Sequence, residues 1–371
     1  MSGLDHDERA QLRAAARGAL SGADHHAAAR AALDGAPLPD SWPLAISAGW
    51  PGLLAPEAAG GTGLGAGEAM LVACELGRAL SGIPLLGHLV ATALLSFPGP
   101  GLLSELAAGA RRAAWLPVRP DPVDGELTSD LATGPGRGPG PRVDAQNRVT
   151  GTAGWVPDAT GADVLVVPAA HGDGRRCLLV VAASDAGIEP VRGYDASRRL
   201  AHVRLTATPG MVFEASDGAI ERAWALGQAL LAAESVGAAE YLLDISVEHA
   251  RRRVAFGRPI GSFQAVKHQL VEVLRRLDKA RALIGYAEWA FAHSAPDIRI
   301  AASALRHAAS DALDTATRTA ISVHGGMGAT WEHPAALFFR RAQLSRRLLG
   351  GQDMAARDVG RLLLHAAATA P

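Results

Sequence analysis

The sequence predicts a mainly α protein with a central β domain, on three observations. Apolar residues recur at helical spacing along both flanks, β-branched runs are confined to the middle, and small residues carry much of the apolar content. Hydrophobic residues make up 49 % of the chain but aromatics only 5 %, a composition suited to closely packed helices. With 371 residues, the chain exceeds the roughly 250–300 at which one core stops growing. Three units are expected: a helical domain over 1–113, a β domain over 114–215 and a helical bundle over 216–371.

The first helical signal spans 7–32, where Ala and Leu alternate with Arg, Asp and Glu, and a second covers 70–80 after the Gly-rich bend at 60–67. The character changes between Trp115 and Phe213. Pro and Gly cluster at 134–141, and the runs at 164–167 and 178–181 are Val- and Leu-rich strands. Long helices are expected over 223–249, 262–293 and 298–323, separated by Gly257 with Pro259, and by Pro296. The glycines at 325–328 close the third, and a last helical stretch is expected over 337–364.

A net charge of −1 gives no concentrated basic face for nucleic acid or a membrane surface. Cys74 and Cys177 make neither a metal pattern nor a disulfide framework, so no metal is expected and a cytoplasmic setting fits. The charged N-terminus lacks a signal-peptide core, and no run reaches the roughly 20 apolar residues of a membrane span.

Residues 253–268, RVAFGRPIGSFQAVKH, lie between two of the expected helices. A second motif, VHGGMGATWEHP, occupies 323–334; VTGTAGWVPD occupies 149–158; WPGLLAPE and GGTGLG occupy 50–57 and 60–65. Together they resemble the acyl-CoA dehydrogenase family over about residues 45–363. The resemblance implies an N-terminal helical domain, a middle β-barrel and a C-terminal four-helix bundle, with FAD as cofactor. It implies that Arg253 pairs with the FAD diphosphate, a task suited to a guanidinium fork. Phe256, Gln264 and Val266 match positions that contact the cofactor, Trp155 the aromatic packed on the flavin ring, and Gly325 with Gly326 a backbone free to approach the diphosphate. Ser322 stands where many relatives carry Gln, and the usual TEPxxGSD loop has no counterpart between Leu127 and Gly140.

The family reaction removes the α-proton of an acyl thioester with a carboxylate while the β-hydrogen leaves as hydride. The usual base position is occupied here by Leu349 and the alternative position by Gly227. Glu234, about two turns beyond Gly227 on the same helix face, is the candidate carboxylate; its alternative reading is a structural glutamate paired with an arginine across the bundle. Glu240 and Glu332 are weaker candidates.

Three functions follow: an FAD-dependent acyl-CoA dehydrogenase with a displaced base or with its site shared between unlike subunits; a flavin monooxygenase or tailoring enzyme acting on a carrier-bound acyl thioester; or a non-catalytic structural subunit. The first is favoured. The expected partners are acyl-CoA, a second subunit in a dimer or tetramer, whether a homo-oligomer or a heteromer with a related chain, and an electron-transfer flavoprotein-like acceptor.

Overall fold

The computed structural model describes residues 4–96, 100–121, 125–132 and 136–369; the start of the Pro/Gly cluster expected at 134–141 lies outside them. The N-terminal helices are α1 (His6–Ser21), α2 (His25–Leu33), α3 (Trp42–Ser47), α4 (Ala66–Arg78), α5 (Leu86–Leu95) and α6 (Pro100–Ala107). The stretch expected as one helix over 7–32 is two. Asp5 and Glu8 form a capping box at the start of α1, and Asp24 caps α2 at the break.

The middle of the chain holds β1 (Ala113–Trp115), β2 (Val118–Pro120), β3 (Leu127–Asp130), β4 (Arg137–Pro139), β5 (Arg142–Val143), β6 (Arg148–Pro157), β7 (Val164–His171), β8 (Arg176–Ala182), β9 (Gly187–Val191), β10 (Leu200–Pro209) and β11 (Met211–Glu214). Eight of them form a mixed sheet in the order β11-β8-β7-β5-β6-β10-β9, with β1 parallel to β7; β2, β3 and β4 form a second, antiparallel sheet. Val149, Leu165, Val167, Leu179 and Val203 fill a core of their own inside this unit.

The C-terminal part runs α7 (Asp217–Arg252), the hairpin β12 (Val254–Ala255) and β13 (Arg258–Pro259), α8 (Gln264–Ala292), α9 (Ile298–His324), α10 (Ala335–Ser345) and α11 (Gly351–Thr369). Helix α9 packs against α7, α8, α10 and α11, the arrangement expected of a bundle. A single apolar core joins the N- and C-terminal helices. It is closed where α4 crosses α7: a Cβ at Gly77 would sit 1.9 Å from the Glu234 carbonyl oxygen, and one at Gly237 1.8 Å from that of Cys74. Only backbone opposes backbone there, so nothing can rotate aside. Gly237→Ala is therefore expected to cost about 3 kcal/mol in a urea melt, although alanine gains about 1 kcal/mol of helix propensity over glycine.

The stretch expected as one helix over 337–364 is broken at 346–350. Buried Arg306 of α9 donates to the carbonyls of Ser345 and Leu348 and so satisfies the end of α10. Leu349, Gly350 and Gly351 then turn the chain with φ of 51°, 82° and 80°.

Candidate functional site

The two positions where a base is expected converge. A Cβ on Gly227 would lie 2.7 Å from Cζ3 of Trp115 and 3.4 Å from Cδ1 of Leu349. Trp115 and Trp224 are both buried and meet edge-on with centroids 6.1 Å apart, and Arg137 covers the Trp224 ring at 5.0 Å. Leucine at a left-handed φ is strained, and its buried turn is held by the Leu349 carbonyl accepting from Gln228 Nε2 at 3.4 Å. The two expected base positions thus border one another at the Trp115 indole, and neither carries a carboxylate. Trp115 was not singled out from sequence as a site residue, because a tryptophan closing a short strand carries no signal of what it will face.

Glu234 is buried and engaged. Its carboxylate accepts a short ion-paired hydrogen bond from Arg198 and lies 3.9 Å from Arg341 Nη1. Arg341 also pairs with Asp195 at 2.8 Å and donates to the carbonyls of Ser81 and Ser197 at 3.1 Å. Glu234 is thus paired with arginine, but the closer guanidinium comes from the loop before β10 in the β domain, and the one across the bundle, Arg341 of α10, stands farther off. Nearby, burial pushes the Asp158 carboxyl up to about 6, while the Gly87 N–H donates to it at 3.1 Å. Of the weaker candidates, Glu240 pairs with Arg281 at 2.7 Å and Glu332 is exposed.

The predicted cofactor residues gather at another part of the bundle. Arg253 caps the C-terminus of α7, and Gln264 opens α8; both are exposed, and among the described residues no carboxylate pairs with Arg253. Between them the β12–β13 hairpin turns through Phe256 and Gly257, both left-handed, with φ of 51° and 76°. Glycine or asparagine is the usual choice in such a turn; here it holds a phenylalanine that is 95 % exposed. Val266 is half-buried. Gly325 and Gly326 are exposed, and a Cβ on either would meet nothing within 4 Å, so their backbone is open to approach. The imidazoles of His249, His324 and His333 meet as tilted pairs with centroids 4.3 and 4.2 Å apart and tie this Gly turn to the end of α7 beside Arg253. Burial pulls the His333 ring down to about 4, so that ring is neutral at neutral pH.

Trp155 stands apart on β6. It is half-buried with φ of 58°, beside a register shift of β10 between Ala201 and Val203, and meets His202 edge-on at 5.3 Å. An unpaired guanidinium, an outward aromatic and a bare glycine backbone fit a nucleotide diphosphate approaching from outside the chain.

A cavity of about 630 Å³ lies one turn before Gly227, between the 54–66 loop, the end of α5, the first turns of α7 and Phe291 of α8. Glu234 is not among its lining residues. No helix among the described residues is long and apolar enough to cross a membrane, and no cluster of metal-ligating side chains occurs among them.

The sequence model of the acyl-CoA dehydrogenase N-terminal domain matches residues 6–117 and that of the C-terminal domain residues 218–364. The acyl-CoA dehydrogenase IpdE2 of Mycobacterium tuberculosis is 37 % identical over 300 residues, covering 80 % of this chain and 78 % of the relative. FadE34 of the same organism is 35 % identical over 301 residues, 81 % of this chain but only 38 % of that longer protein. Among solved structures, a variant of the steroid enzyme Tcur3481–Tcur3483 superposes with a TM-score of 0.85 at 28 % identity, covering 98 % of this chain and 99 % of that one. The M. tuberculosis ChsE4–ChsE5 complex superposes at 0.84 and 24 % identity over the full length of both chains, a likeness of fold. The chain belongs to the acyl-CoA dehydrogenase family, flavin-dependent oxidoreductases that act on CH–CH groups of acyl thioesters.

Proposed function

We propose that this chain works as one of two unlike subunits of an FAD-dependent acyl-CoA dehydrogenase, lending its cofactor clamp to the complex and leaving proton abstraction to a carboxylate on the partner. The observation that carries this is the Trp115 indole lodged against Gly227 and Leu349: both base positions lack a carboxylate, and the space is filled. Glu234 is committed to Arg198 and Arg341. A carboxylate tied to guanidinium donors is not free to reach a substrate, and Glu234 does not line the neighbouring cavity.

Arg253 would take the diphosphate and Gln264 would hydrogen-bond the cofactor, while Phe256 and Val266 would cover its apolar parts. Gly325 and Gly326 would let backbone approach. When bound, FAD supplies the acceptor for the β-hydrogen. Trp155 would pack on the ring and exclude water. In the isolated chain Val254, Phe256, Met327 and Trp331 are exposed, and such apolar surface beside a cationic clamp is what a subunit contact would cover. Two of the solved structures above are named as pairs of unlike chains, and one of them as a steroid enzyme; a bulky acyl-CoA belongs to the same proposal, as do an electron-transfer flavoprotein-like acceptor and a cytoplasmic setting.

The test is a visible spectrum. The purified chain mixed with FAD is expected to show no bleaching by octanoyl-CoA or a steroid side-chain acyl-CoA. The complex with a carboxylate-bearing relative is expected to bleach, and to lose most of its FAD with Arg253→Ala. Bleaching by the chain alone, abolished by Glu234→Gln, would overturn the proposal.

A further inference from the structure

The cavity before Gly227 has features that the shared-site proposal does not use. One face of α7 forms its wall through Ala219, Arg222, Ala223 and Leu226, the spacing of residues stacked on one side of a helix. The opposite walls are apolar: Leu54, Leu64, Leu94 and Phe291. Among the described residues, Arg222 is the only cation on the lining. Its guanidinium lies over the Phe291 ring at 5.2 Å and donates to the Phe291 carbonyl at 2.9 Å, which fixes its plane. Among the described residues no carboxylate pairs with it, and burial alone pulls its pKa down, with no anion opposing that pull.

The carboxylate on the lining, Glu57, is exposed at the opening and forms no ion pair with Arg222 among the described residues. The start of α7 adds positive potential on the same wall, since Ala219 belongs to its first turn. A half-buried guanidinium in an apolar chamber of this size is matched by an amphiphile whose apolar body fills the chamber and whose anionic end takes the free guanidinium donors. Neutral amphiphiles leave the buried charge uncompensated, and cationic ones oppose it.

We propose that this cavity binds an apolar carboxylate, of fatty or compact alicyclic type, with its carboxylate on Arg222 and its hydrocarbon between α5, α7 and Phe291. Such a ligand would be held without turnover, because the neighbouring base positions carry no carboxylate. Binding there needs neither flavin nor a partner subunit.

The experiment uses the full chain without flavin and three ten-carbon probes: decanoate, 1-decanol and decyltrimethylammonium, each followed by calorimetry. Decanoate is expected to bind at least about tenfold more tightly than decanol, and the ammonium not measurably. Arg222→Met, checked for an unchanged far-ultraviolet spectrum, is expected to bring decanoate down to the level of decanol, with Arg222→Lys between. Ala93→Trp, which fills the chamber, is expected to abolish both, and retained binding in that variant would place the ligand elsewhere. Equal affinity of decanoate and decanol for the native chain, or undiminished decanoate binding in Arg222→Met, would overturn the assignment. Because no flavin is present, failure here leaves the shared-site proposal standing, and failure of that proposal leaves this one standing.

Discussion

Glu234→Ala is expected to destabilise the chain by about 3–5 kcal/mol, the usual effect of removing one partner from a buried ion pair. Arg198 and Glu234 are each 8 % exposed, and Arg341 is 2 % exposed. Without the carboxylate, Arg198 and Arg341 face each other across the vacated space, and only Asp158 and Asp195 remain to offset Arg198. Urea melts followed by circular dichroism would read the loss as a fall in midpoint. The double variant Glu234→Leu with Arg198→Met is expected to recover most of it, because the desolvation cost of both charges disappears together. A glutamate serving as a base would behave otherwise: its removal would leave the melt nearly unchanged and abolish turnover. The melt therefore separates the two roles.

Leu349→Glu is expected to be the second severe change, and its effect should depend on pH. The side chain is 2 % exposed and faces Gly227 beside the Trp115 ring. Arg306, which reaches this turn from α9, is already spent on the carbonyls of Ser345 and Leu348 and on Ser310 and would not be free to pair with a carboxylate there. Fully buried carboxylates are raised by up to about 3–5 pH units, so the folded variant still holds most of its proton at neutral pH. The cost there is about 3–4 kcal/mol: roughly 2.7 pH units from the unfolded value of about 4.3 to neutrality, at about 1.4 kcal/mol each. The sign follows from proton counts. The folded variant would hold its proton above about pH 4.3, where the unfolded chain releases it, so the ionisation part of its deficit should grow as pH rises above that value and disappear below it, leaving the packing cost of the neutral acid. A deficit independent of pH would mean that the carboxylate reaches water or a cation. Placing a glutamate there is thus expected to cost stability without creating dehydrogenation, since Trp115 still occupies the space.

Much of the fold was legible in the chain. The long helices α7, α8 and α9 matched the periodic runs closely, because their lengths average out local noise and Gly257, Pro259 and Pro296 mark the breaks. The bend in the last helical stretch was not legible. Arg306 lies some forty residues before it in sequence, and nothing local says that its guanidinium will end α10. The division of α1 from α2 was nearer to hand, since Asp24 is an N-cap residue and Gly22 precedes it.

What the sequence by itself determined is a residue inventory: a helical frame with a β centre, a motif carrying Arg253, Phe256 and Gln264, and no carboxylate at either usual base position. Those are matters of which side chains exist and at what period, and periodicity and motif are local properties. Only the tertiary structure decided that Gly227 and Leu349 meet at the Trp115 ring, that Glu234 is held by Arg198 and Arg341, and that Arg222 faces an apolar chamber. Each of these joins residues distant in sequence, and whether a buried charge finds a partner is settled by the packing of separate elements, which no single segment encodes.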